Sequence, residues 1–171
     1  MPHTSQHSTD ERTAELWVRS HSPFGASRER ATVLDSLESL ESEGYFDDVT
    51  ARLWGKRVGF STMAARTEEG SEILDTVEEF RSWADRNGAN VDQFFPKRVL
   101  ESQLVEQQYM VQELPTLALA EYENGELVNV TPCINDGTVE TVEDRISTIE
   151  SDAEAEAREA ADRKAAPARV Q

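Results

Sequence analysis

Apolar residues recur along this chain with two periods, two and roughly three and a half, and the alternation between them predicts the elements. In residues 13–20, TAELWVRS, Leu16 and Val18 alternate with Trp17 and Arg19, as in a strand. Residues 28–44, RERATVLDSLESLESEG, place Ala31, Leu34, Leu37 and Leu40 on one helical face, with Ser27 placed to cap the start and Gly44 to stop the end. Val49, Ala51 and Leu53 alternate with Thr50, Arg52 and Trp54, predicting a second strand over residues 49–58. Ile73, Val77, Phe80 and Trp83 then fall in helical register, and Asn87-Gly88 closes that helix. The apolar run 117–120 is too short for a helix and reads as a buried strand. Glu123-Asn124-Gly125-Glu126 carries the Asn-Gly pair that accepts positive φ at both centres of a tight hairpin, returning as residues 127–131. Residues 131–137 read as a turn, and Val139, Val142, Ile146 and Ile149 define a last core helix.

Residues 1–12 lack apolar periodicity and are expected to form a disordered arm before a single domain at 13–150. Residues 151–171 are helix formers with nothing to bury, expected as a helical extension to about Lys164 and then a disordered tail. Residues 89–113 are too long for an ordinary loop and carry Phe94, Phe95, Val99, Leu100, Leu104, Val105, Tyr109 and Met110, so they are expected as an inserted strand or hairpin on the sheet edge. With a right-handed crossover joining the first two strands, the order is βαβαββα. That order, with Pro115 at the mouth of the hairpin, resembles the thioredoxin-like α/β fold with an insertion before the C-terminal hairpin. The resemblance implies a cis Pro115. If residues 89–113 instead supply a central strand, a ferredoxin-like α+β sheet is the alternative.

Charge narrows the setting. The 171 residues include 17 basic and 34 acidic ones, a formal net charge of −17, and only Lys56, Lys97 and Lys164 are lysines. Carboxylate-rich, lysine-poor composition resembles that of extreme halophiles, where in roughly 1 M salt the Debye length falls to about 3 Å and such charge repels little. Acidity of this origin leaves a nucleic-acid partner open. No apolar run has signal-peptide or membrane length, so a cytoplasmic protein without a membrane partner is expected. Asn129-Val130-Thr131 fits a glycosylation sequon inside a predicted strand and carries little weight.

Cys133 is the sole cysteine, so neither an intramolecular disulfide nor a Cys-x-x-Cys pair exists. The loop His21-Ser22-Pro23-Phe24-Gly25-Ala26-Ser27 stands where thioredoxin-like enzymes carry redox cysteines, and serine at its ordinary pKa does not replace a thiolate. What remains there is a candidate anion site at a helix N-terminus involving His21, Ser22 and Ser27 beside Pro115, against the plainer reading of a capping turn. No Gly-x-Ser-x-Gly elbow or metal-ligand spacing accompanies these residues, and no cofactor or metal is expected. Arg52-Leu53-Trp54-Gly55-Lys56-Arg57 concentrates three cations and an indole in an acidic chain. On one strand Arg52, Trp54 and Lys56 would share a face suited to phosphate and base, the plainer alternative being salt bridges around a core Trp54. Cys133 reads as a small apolar core residue.

LWVRSHSPFGASRERATVLDSL, VTARLWGKRV, VEEFRSWADRNG and LPTLALAEYENGELVNVTPC together resemble a family of uncharacterised haloarchaeal proteins, some labelled helix-turn-helix. The two clear helices are separated by a strand, so no recognition-helix pair is visible in the sequence. The leading expectation is a non-enzymatic interaction or regulatory module with a protein partner, binding through residues 20–27, Arg52, Trp54, Lys56, Arg57 and the region of Pro115. A nucleic-acid-associated transcriptional regulator using the same basic strand is the alternative. An enzyme acting on a small anionic substrate is weaker, because no acid–base pair can be named.

Overall fold

A computed structural model of the protein describes residues 10–20, 26–60, 67–104 and 107–165. The chain is of the mixed α/β class. Strand β1 (Arg12–Arg19) is followed by helix α1 (Ala26–Ser42) and strand β2 (Asp48–Trp54), which lies parallel to β1. Gly44, at φ 84°, takes the left-handed turn that ends the α1 region, as its glycine implied. After β3 (Arg57–Gly59) comes α2 (Glu68–Asn87), capped by the Thr67 hydroxyl accepting from the Gly70 amide at 3.1 Å and closed by left-handed Gly88.

The hairpin expected around Asn124-Gly125 forms between β7 (Leu117–Glu123) and β8 (Glu126–Thr131), with φ of 53° and 80° at its two turn residues. β7 runs antiparallel to β1, and the four-stranded sheet has the order β2-β1-β7-β8. Each face of that sheet is covered. Leu16, Leu37, Leu40, Leu119, Ile146 and Ile149 pack α1 and α3 (Val142–Ala165) against one side. Trp17, Trp54, Val77, Phe80, Trp83 and Phe95 pack α2 against the other. Both parities of β1 are therefore buried, which is why Leu16 and Trp17 are each almost inaccessible.

Three expectations are corrected. The second strand does not run from 49 to 58: it breaks at Gly55-Lys56, and β3 leaves for another sheet. Residues 89–113 hold β4 (Ala89–Asn90), β5 (Lys97–Ser102) and β6 (Gln107–Glu113); β5 and β6 form a hairpin that joins β3 in a separate sheet of order β3-β6-β5. None of them enters the four-stranded sheet, so they neither add to its edge nor supply the central strand of the ferredoxin-like alternative. The stretch read as a turn and helix start instead forms β9 (Cys133–Asn135) and β10 (Thr138–Glu140), which pair with each other, while β9 also pairs with β4. Val139 belongs to β10 and is exposed, and α3 begins three residues later behind a reciprocal cap between Thr141 and Asp144. No helix among the described residues is long and apolar enough to cross a membrane.

Candidate functional site

The bend at Gly55-Lys56 divides the basic run, and its members reach different surroundings. Arg52 lies in β2 with its guanidinium 4.7 Å over the Trp17 ring, 3.8 Å from Glu15 and hydrogen-bonded to Glu72 on α2. Trp54 is 2% exposed, stacks on Trp17 with centroids 5.0 Å apart, and donates its indole N–H to the Pro115 carbonyl at 3.0 Å. For these two the structural role holds: a core indole and a cation committed to carboxylates. Lys56 lies between β2 and β3, outside both, contrary to the expectation of an unbroken strand.

Pro115 also differs from expectation. Its peptide bond is trans, and the cis bond among the described residues is Thr131-Pro132. His21 and Ser22 lie outside the described residues. α1 begins at Ala26, so Ser27 sits inside the first turn rather than at the cap. The end of β1 is tied to the Pro115 segment by the Arg19 amide donating to the Thr116 carbonyl at 2.9 Å and by the Arg19 side chain reaching the Leu114 carbonyl. Cys133 is buried, and burial pushes its thiol up, the behaviour of an inert core residue.

Beside Arg52 runs an open groove of about 620 Å3 lined by Glu15, Glu68, Glu72, Asp75 and Glu79, with Arg52 the one cation on it among the described residues. Desolvation raises the Glu15 carboxyl above its usual range despite the opposing pull of Arg52. Burial, and then Glu15 and Glu79, likewise hold the Tyr122 hydroxyl above its ordinary value. A groove of this sign repels an anionic substrate.

Positive charge gathers around the end of β6, where Lys56-Arg57, singled out in the sequence, is joined by Lys97-Arg98, which was not. The Leu114 amide donates to the Lys56 carbonyl at 3.0 Å and the Glu113 amide to the Pro96 carbonyl at 2.9 Å, so the end of β6 lies between Lys56-Arg57 and Lys97-Arg98. Two strand spacings, about 10 Å, separate the doublets. Lys56 and Arg57 are exposed and make no ion pair among the described residues. Arg98 is 63% exposed although paired with Glu113 at 3.0 Å, and the Lys97 ammonium stands 5.3 Å from the Phe60 ring centroid. The available signal was the repeated Lys-Arg doublet, which uses two of the chain's three lysines.

The helices have the opposite character: α2 carries seven acidic and two basic residues, α3 eight and four, α1 four and two. Phosphate contact through any of them is electrostatically disfavoured.

A family described as a helix-turn-helix domain has a profile that matches residues 6–154. The chain belongs to this family. Comparison with curated proteins and with solved structures gives no match. Among the described residues of this family member no two helices are joined by a short turn: α1 and α2 are separated by β2 and β3, and α2 and α3 by seven strands. The helix-turn-helix description therefore does not locate a recognition helix on the described residues.

Proposed function

We propose that the protein is a non-enzymatic, nucleic-acid-associated regulator of a high-salt cytoplasm, with Lys56, Arg57, Lys97 and Arg98 as its phosphate-binding residues. Family membership is the observation that carries the reading, and the acidic helices direct it to the second sheet. Exposed lysine and arginine on either side of β6 suit backbone phosphates. The scaffold is read as a thioredoxin-like βαβαββα unit without redox cysteines, carrying the β5–β6 hairpin as its functional addition. Acidity with few lysines supports a halophilic setting, where two exposed Lys-Arg doublets are conspicuous against the remaining surface.

An adaptor for protein partners is the second reading, favoured by the exposed Val99, Met110 and Phe60 on the same small sheet. Affinity capture of the tagged chain from a halophile lysate held at about 2 M KCl, with both nucleic acids and proteins identified, separates the two. The regulator reading expects enriched nucleic acid of defined sequence that disappears when Lys56, Arg57, Lys97 and Arg98 become serine. Reproducible protein partners without nucleic acid would replace it with the adaptor.

A further inference from the structure

Among the described residues nothing pairs with the outer edge of β5, and part of one face of the small sheet is exposed; the two features point to the same occupant. Phe60 follows β3, and its amide donates to the Met110 carbonyl at 3.1 Å, while Met110 lies opposite Val99 in the β5–β6 register. These three apolar side chains thus form a row straight across the sheet, 39%, 47% and 56% exposed, and the row ends at the edge strand β5. Lys97 and Glu101 lie two positions either side of Val99 on the same face of β5, since side chains alternate along a strand.

The open edge has a definite hydrogen-bonding phase. The Glu113 amide bonds to the Pro96 carbonyl, and Met110 bonds toward β3. In an antiparallel ladder, paired and unpaired positions alternate, so β5 meets β6 through residues 96, 98 and 100. The backbone N–H and C=O groups of Lys97, Val99 and Glu101 consequently face outward.

We propose that a second copy of this chain pairs there, β5 against β5, antiparallel about a two-fold axis at Val99. This register is self-complementary. It sets Lys97 of each copy opposite Glu101 of the other, about 5 Å apart at Cβ, and uses the outward N–H and C=O groups of all three residues. It also joins the two apolar rows into one, Phe60-Met110-Val99 continuing through Val99-Met110-Phe60 of the second copy, across a six-stranded sheet. Pairing shifted by two residues places Val99 opposite Lys97 or Glu101 and forfeits this match, so the opposite charges select the register as well as the occupant. Such pairing does not depend on nucleic-acid binding.

Sedimentation velocity of the full chain in about 2 M KCl is expected to show a concentration-dependent dimer. Val99→Pro removes an outward N–H and leaves the β5–β6 bonds in place, so the dimer dissociation constant should rise about tenfold or more with the circular dichroism spectrum unchanged. Lys97→Glu and Glu101→Lys should each weaken self-association when alone, whereas mixing the two variants restores a dimer, because each glutamate then faces a lysine in both symmetric contacts. A monomeric wild type overturns the proposal, as does a folded Val99→Pro protein that dimerises undiminished. If Val99→Pro fails to fold, the charge variants decide: equal association in both single variants and their mixture contradicts this interface.

Discussion

Arg52 shows how one side chain can be claimed by its neighbours. It covers the Trp17 ring, reaches Glu15 and Glu72, and so converts an apparent binding cation into a strut between β2 and α2. Glu15 bears the cost of that arrangement, since desolvation raises its carboxyl. A raised folded pKa means that its stabilising contribution is complete below the unfolded value, about 4.3, and is lost as pH rises through the folded one. Glu15→Gln is neutral throughout. Its melting temperature relative to wild type should therefore increase from about pH 4 to about pH 7, and a difference that shrinks over the same range would show that the Arg52 attraction outweighs desolvation. Cys133 was legible from sequence as a core residue because a lone thiol favours burial, whereas Trp54 read equally as part of a binding face or of the core. Arg52 was ambiguous because its carboxylate partners come from β1 and α2, far away in the chain.

The β5–β6 hairpin is held to the body by an interior polar knot rather than by apolar packing alone. Gln112 is fully buried, donating to the Phe95 carbonyl at 2.8 Å and the Glu113 carbonyl at 3.0 Å while accepting from Arg81 of α2 at 2.8 Å. Arg81 also donates to the Phe95 carbonyl at 2.8 Å and pairs with Asp92 at 3.2 Å. Gln112→Leu keeps the volume but strands these partners, so urea unfolding should show a loss of roughly 2 kcal/mol; a loss below about 0.5 kcal/mol would show that water or rearrangement satisfies them. The same knot explains why this element was hard to read. Adjacent Val111 and Gln112 are both buried, which erases the alternation of β6, and a glutamine at a core position looks like a surface one. In β2–β3 the alternation carried straight through Gly55-Lys56, so only the pairing of Arg57 with Glu113 in another sheet reveals the break. By contrast β1, α1, α2 and the Asn124-Gly125 hairpin followed from local pattern, because period and turn chemistry agreed there.

Over the whole molecule, charge is segregated: carboxylates line the α2 groove and dominate the helices, while two Lys-Arg doublets flank the end of β6, where the chain passes from the β3-β6-β5 sheet to the four-stranded one. That arrangement depends on β6 running between segments about forty residues apart, which no local pattern encodes. A direct titration of fluorescently labelled duplex DNA with the full chain across a KCl series tests the central claim, comparing wild type with the variant in which Lys56, Arg57, Lys97 and Arg98 are serine. Wild-type binding is expected to weaken with salt, and the variant to have lower affinity and a slope of log K against log salt that is shallower by about 1 for each phosphate it no longer neutralises. Wild-type binding no stronger than that of an acidic control protein, or equal affinity and slope in the two proteins, would contradict it.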